Sequence, residues 1–205
     1  MRTALAVLIV GLLATTAFAG ANPQVYAYLT TDATGATIVD RADPVGGGNV
    51  TIYLYLDCFG LTGTGEPSPP AGVVTWTGKI VPTPGMFGYI AFDGAPGTLL
   101  SPGAYNTGIS VSYGEGNCQS PGPVHFATLN CFSYLGGLGD FVLSGHPTFT
   151  PQRQVQDCAT PTGTDEWCLL SNLGINQDPT AGEDCPCGGS AVEESSWGTI
   201  KALYR

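Results

Sequence analysis

The stretch NVTIYLYLDC, residues 49–58, constrains the fold more than any other. Val50, Ile52, Leu54, Leu56 and Cys58 alternate with Thr51, Tyr53, Tyr55 and Asp57, so an extended chain here has one apolar and one polar side. A helix repeats its faces about every 3.6 residues; a strict period of two predicts a strand with one face on a core. QVYAYL repeats the pattern more briefly, and GVVTWTGKIV, GYIAF, TGISVSYG, GPVHFATLNCFSYL and DFVLS follow, each bounded by Gly, Pro, Asn or Asp. The 30 Gly and 16 Pro residues of the chain supply turns between short apolar runs. Seven or more short strands joined this way predict an all-β domain.

The expected architecture is a β-sandwich of Ig-like or cohesin-like character. TGISVSYG and GPVHFATL read as a hairpin turning near Ser120. In the return strand His125 is expected on the same side as Ala127, Leu129 and Cys131, as a structural histidine. His146, between Gly145 and Pro147, reads as a turn residue. No helical period is evident before residue 190, and no internal repeat is found.

At the start, MRTALAVLIVGLLATTAFAG places Arg2 before an apolar run from Ala4 to about Ala14, then Ala17-Phe18-Ala19. This is the layout of a secretory signal peptide over residues 1–19, cleaved after Ala19. The run is shorter than the roughly 20 residues that a membrane-spanning helix needs. The expectation is an exported protein, secreted or at the cell surface or in a periplasm, that does not span a membrane.

Charge narrows the partners. The chain has 6 Lys+Arg and 16 Asp+Glu, and removal of Arg2 with the leader gives 5 − 16 = −11. Nucleic acid and anionic lipid both need basic surface, so neither is an expected partner. An extracellular protein or a glycan is.

The seven cysteines, Cys58, Cys118, Cys131, Cys158, Cys168, Cys185 and Cys187, read as disulfide formers in an exported chain. Their odd number leaves at least one outside intramolecular pairing. Cys185-Pro186-Cys187 is C-x-C, without the C-x-x-C spacing or a nearby His that structural zinc favours. The body of the sandwich is expected over residues 20–151, and residues 152–190 as an acidic, disulfide-pinned extension with little core of its own. From Gln154 to Ile200 there are eight acids and no Lys or Arg. Within it Asn176, Asp178, Glu183 and Asp184 could offer oxygen ligands to calcium, the one cofactor considered. They lack the ligand alternation of an EF-hand loop, so solvated acids are the plainer reading.

No catalytic residues are expected. G-x-S-x-G is absent, no pair of carboxylates is singled out, and GGGNV leads into a strand where a phosphate loop would open a helix. A ligand-binding reading rests on Tyr53 and Tyr55 on the polar side of the clearest strand and on Tyr26 and Tyr28 at the same spacing. If the two strands are neighbours, the four tyrosines form a strip that can stack on sugars or peptides. The competing reading covers that face with the acidic extension. Asn49-Val50-Thr51 matches the N-glycosylation triplet.

YGEGNCQSPGPVHFATLNCFSY, GHPTFTP, the CPC pair and the terminal SSWGTIKALYR together resemble small secreted proteins of environmental bacteria. In these an Ig-like or cohesin-like sandwich precedes a tail of W-G-x-I-K-x-L-Y-R type. The resemblance covers roughly residues 110–205 and implies export and a β-sandwich; it transfers no catalytic residue. The function expected is a non-catalytic structural or adhesive protein, with a carbohydrate-binding module as the alternative and a small hydrolase third. The order Cys58, Trp76, Cys131 resembles the Cys–Trp–Cys order of Ig domains and implies a Cys58–Cys131 bridge, although Leu129 stands where those domains place Tyr. On the hairpin reading Cys131 lies eleven residues beyond Ser120, about 35 Å at about 3.3 Å per residue, too far for a bond to Cys118.

Residues 191–205 are expected as a short amphipathic helix. Ser195 or Ser196 can cap it, and Trp197, Ile200, Leu203 and Tyr204 form one apolar stripe. Glu193 and Glu194 precede the stripe, and Lys201 and Arg205 suit the negative end of the helix dipole. Under three turns, with Gly198 inside, it is marginal alone in water. It is expected to act as a recognition tag for export or surface-attachment machinery, the alternative being a closing helix on its own sandwich.

Overall fold

A computed structural model of the chain describes residues 21–44, 46–58, 72–119, 122–157 and 164–181. The signal peptide, Glu183 and Asp184, Cys158, Cys185 and Cys187, and the terminal helix and tag all lie outside the described residues. Twelve strands follow in order: β1 (Ala21–Thr30), β2 (Arg41–Ala42), β3 (Gly48–Cys58), β4 (Val73–Pro82), β5 (Phe87–Gly94), β6 (Leu99–Leu100), β7 (Ile109–Ser112), β8 (Val124–Ser133), β9 (Gly139–Ser144), β10 (Gln154–Asp157), β11 (Thr164–Ser171) and β12 (Leu173–Ile175). All seven strands expected from alternation are present. Among the described residues no helix is long and apolar enough to cross a membrane.

The strands hydrogen-bond along one path, β2-β12-β9-β4-β10-β11-β1-β3-β8-β5, with β7 and then β6 branching from β4. β4 makes this possible by changing partners at Gly78. Residues Val73–Gly78 pair with β10 and β7, and Lys79–Pro82 pair with β9. A Cβ on Gly78 would stand 2.7 Å from Trp76 Cζ2 and 2.9 Å from the Ser144 carbonyl oxygen, so only glycine lets the strand cross between layers here. The rings of Trp76 and Trp167 meet beside it at 6.1 Å, and Trp167 Nε1 donates to the Thr77 carbonyl at 2.9 Å.

The path folds over on itself to make a sandwich. β1 approaches β9 and β7 approaches β8 without hydrogen bonding, and Phe87 of β5 meets Phe141 of β9 at 4.6 Å. Between the layers lie Val50, Ile52, Leu54 and Leu56 of β3, the apolar side read from sequence, together with Val25, Ala27, Leu29, Trp76, Ile80, Phe126, Leu129 and Phe141. Each large side chain buried in this way contributes about 1.5–3 kcal/mol of apolar transfer free energy.

Three expectations change. The described part of residues 152–190 is not an extension with little core. β10 and β11 fill the space between β4 and β1, β12 extends β9, and Val155, Trp167, Leu173 and Ile175 are fully buried. The signal was weak because each strand contributes only one or two core side chains. The β7–β8 hairpin is absent: β7 pairs with β4, while β8 lies between β3 and β5. Alternation shows that each segment is a strand but not which strand it pairs with.

The Cys58–Cys131 bridge is also overturned, because Cys131 is a free, buried thiol. Register gives the reason. Cys131 faces Val50 on β3 and Cys58 faces Val25 on β1, eight residues apart along β3. That is about 26 Å at about 3.3 Å per residue, against the roughly 7 Å a disulfide allows between Cα atoms. Cys118 and Cys168 are disulfide-bonded. Cys118 is thus not joined to Cys131, as expected, but not for the hairpin reason given.

Candidate functional site: the outer face of β3, β8 and β5

β3, β8 and β5 are adjacent and antiparallel, so their outward residues fall in rows. Asn49 stands opposite Phe132, Thr51 opposite Asn130 and Tyr53 opposite Thr128; across β8, Ala91 stands opposite Asn130 and Asp93 opposite Thr128. Amides and hydroxyls pair along the rows. Thr51 Oγ1 donates to Asn130 Oδ1 at 3.0 Å, and the Tyr89 hydroxyl donates to Asn49 Oδ1 at 3.0 Å, bridging β5 to β3 over β8.

One end of this face is aromatic and closed. Tyr55 lies opposite Tyr28 of β1, and their rings stack at 5.9 Å with planes 19° apart. Both are buried, at 1% and 3% exposure, whereas Tyr26 and Tyr53 are half-buried. Tyr28, Tyr53 and Tyr55 of the expected strip are therefore neighbours, with Tyr26 two residues along β1 opposite Asp57, but the middle of the strip is not open to a ligand. The cover is the loop between β1 and β2, not the acidic region. Tyr28 donates to the Gly35 carbonyl at 2.7 Å and Tyr55 to the Ala33 carbonyl at 2.5 Å. Asp32 holds the loop by accepting from the Thr34 and Thr37 amides, at 3.0 and 2.9 Å, and these bonds lower its carboxyl pKa. Burial raises both tyrosine pKa values, so the rings stay neutral.

His125 sits beside this cluster, 5.6 Å from the Tyr53 ring and 5.2 Å from the Tyr55 ring. It faces outward, not inward with Leu129 and Cys131 as expected. Leu54 pairs with Ala127 and Tyr55 with His125, so β8 holds one residue more than β3, a bulge that reverses the alternation. Nε2 lies 2.9 Å from the Ala127 carbonyl, which can only accept, so this nitrogen carries the proton. Desolvation lowers the His125 pKa. Tyr113, Gln119, Pro123 and His125 line a shallow groove of about 410 Å³ at this end.

The other end is apolar and open. Eleven large hydrophobic side chains are exposed among the described residues, and five of them gather here: Tyr89 (50%), Phe132 (36%), Tyr134 (50%), Leu135 (77%) and Leu138 (54%). Phe132 and Tyr134 meet edge to face at 6.1 Å and lie over Gly88, where a Cβ would stand 3.2 Å from the Tyr134 hydroxyl and 3.4 Å from Phe132 Cδ1. The turn carrying Leu135 and Leu138 closes through a bond from the Gly137 amide to the Tyr134 carbonyl at 3.1 Å. Sequence reasoning missed this patch. FSYLGGLG carried the signal: Tyr134, Leu135 and Leu138 stand in a glycine turn directly after Phe132, where turns are ordinarily polar.

The expected calcium ligands are otherwise engaged where described. Asn176 donates its amide to the Gly137 carbonyl at 2.8 Å, and Asp178 pairs with Arg41 at 3.1 Å. Among the described residues no group of three or more His, Cys, Asp or Glu is placed to hold a metal.

No family model matches the chain, and no curated protein matches it. Solved structures do. The sixth cohesin of scaffoldin B from Acetivibrio cellulolyticus, solved with a Cel5 dockerin mutant, aligns at TM-score 0.46 and 13% identity over 74% of this chain and 96% of that one. The seventh type I cohesin of ScaB from Pseudobacteroides cellulosolvens aligns at 0.47 and 12%, over 82% and 97%. The type I cohesin of a cohesin–dockerin complex from Clostridium thermocellum aligns at 0.48 and 10%, over 76% and 95%. The architecture described above rests on the chain's own strand pairing.

Proposed function

We propose that the protein is an exported, non-catalytic β-sandwich with a structural or adhesive role, and that it docks an extracellular protein through the open end of its β3–β8–β5 face. The observation that carries this reading is the gathering of Tyr89, Phe132, Tyr134, Leu135 and Leu138 on one end of the sandwich, rimmed by Asn49, Thr51 and Asn130. Contiguous exposed apolar surface rimmed by polar groups is the usual mark of a protein interface, with aromatic anchors at its centre. The patch favours a protein over a glycan. Its two adjacent rings lie 80° apart and cannot both stack flat on sugar, and Leu135 and Leu138 have no use in sugar recognition. In this reading the disulfides of the acidic region brace the sandwich against the extracellular medium.

The test is cross-linking in the producing cells, with a photoreactive residue at Tyr134. A discrete protein adduct is expected, lost with Leu135→Asp or Leu138→Asp and retained with Leu99→Asp, a residue equally open on β6. Adducts indifferent to all three changes, or glycan-array binding that depends on Tyr53 with no protein adduct, would overturn the proposal.

A further inference from the structure

The turn that carries Leu135 and Leu138 lies near the last described residues. After β12, Asn176 donates to the Gly137 carbonyl inside the Tyr134–Leu138 turn, Gln177 Nε2 donates to Asp140 Oδ1 at 2.6 Å, and the Thr180 hydroxyl donates to the same carboxylate. The chain touches the turn at Asn176 and then doubles back along β12, where the Thr180 carbonyl accepts from Asn172 Nδ2 at 2.9 Å, so the described residues end beside Asp140, two residues beyond Leu138.

Residues 182–205 carry a stripe of matching chemistry. Trp197, Ile200, Leu203 and Tyr204 fall at i, i+3, i+6 and i+7, one face of a helix. Such a segment is marginal alone and gains its order by docking. Trp197 is sixteen residues beyond Ala181, a reach of up to about 55 Å when extended, so no patch near the exit is out of range. Charge agrees in sign. The described residues hold three basic residues (Arg41, Lys79, Arg153) and eleven acids, 3 − 11 = −8, whereas the segment from Ser195 to Arg205 holds Lys201 and Arg205 and no acid. The other adjacent exposed apolar residues among those described, Leu99 with Leu100 on β6 and Ile38 with Val39 before β2, form only pairs.

We propose that the segment Trp197–Tyr204 docks on the patch formed by Tyr89, Phe132, Tyr134, Leu135 and Leu138 of its own chain, so that an external partner must displace it. The inference rests on the same patch as the docking reading above, but its test needs no partner. Trp76 and Trp167 are fully buried, so Trp197 is the tryptophan whose environment reports docking.

Acrylamide quenching of the mature chain, compared with a W197F chain to isolate Trp197 and with the free peptide Ser195–Arg205, reads it directly. Expected are loss of most of the peptide's quenching and a blue shift in the intact chain, with Leu135→Asp restoring the peptide's values and Leu99→Asp leaving the intact chain's. Leu135 is 77% exposed, so its change leaves the fold standing. Equal quenching in intact chain and peptide overturns the proposal, as does protection that survives Leu135→Asp together with Leu138→Asp. Tyr134 cross-links to a partner in a chain lacking residues 195–205 would leave the docking reading intact even then.

Discussion

The rings of Tyr28 and Tyr55 stack 5.9 Å apart, and each hydroxyl ends on a carbonyl of the loop above it, Gly35 and Ala33. That relationship removes the middle of the tyrosine strip from the surface and moves the candidate site to the other end of the same face. Gly35 is the keystone. Its φ is +70°, and a Cβ would stand 2.7 Å from the Tyr55 ring. Gly46, at φ +75° with nothing within 4 Å, isolates the backbone cost. Gly46→Ala should lose about 1 kcal/mol through left-handed strain alone. Gly35→Ala should lose about 1–3 kcal/mol more, through displacement of the ring. Urea denaturation of both variants measures the difference, and equal losses would mean that the loop does not close on Tyr55.

Gly78→Ala should be costly for another reason. The added methyl meets Trp76 and the Ser144 carbonyl, and the latter is β9 backbone that cannot swing aside. A loss of about 2–3 kcal/mol is expected, typical of overpacking in a closed core. Thermal melts should show it, with the near-ultraviolet signal of the Trp76–Trp167 pair altered.

Cys131 should be silent in the native protein. It is fully buried, and burial pushes its thiol pKa up to about 11. At pH 8 the thiolate is then only about 0.1% of the population, and the thiolate is the reactive form. Alkylation of the native protein followed by mass spectrometry of the Cys131 peptide should find it unmodified, and labelling should follow unfolding. Rapid native labelling would contradict the packing described.

His125 gives stability a pH dependence of defined sign. Desolvation lowers its folded pKa below the ordinary value of 6.5. Below pH 6.5 the unfolded chain binds the proton more readily than the folded one, so this contribution is present above 6.5 and is lost as pH falls towards the folded pKa. His125→Gln should flatten the stability profile between pH 7 and 5. An unchanged slope in that window would show that the imidazole is fully hydrated.

The candidate site was legible only in part. The rows Asn49–Phe132 and Thr51–Asn130 require that β3 and β8 be neighbours, and no local pattern reports which strands pair. Two local features were readable in kind but not in consequence. The tyrosine spacing was clear, yet the burial of Tyr28 and Tyr55 depends on the loop that Asp32 holds, through amides two and five residues on, in a geometry that spacing does not specify. The β8 alternation was clear too, but one extra residue near Ala127 turned His125 from the core to the surface.

By itself the sequence determined that this chain is built of strands, and which side of β3 faces the core. Both follow from the period of two in the backbone, a local property that survives in any tertiary context. It also determined the acidic balance of the chain. Only the tertiary structure decided that β10 and β11 belong inside the sheet, that Cys131 stays unpaired and that the apolar turn at Tyr134–Leu138 lies beside Asn176, just after β12. The physical reason is common to all three. Each depends on contacts between residues far apart in sequence, selected by how the two layers exclude water together, and that choice leaves no periodic trace in the residues that make it.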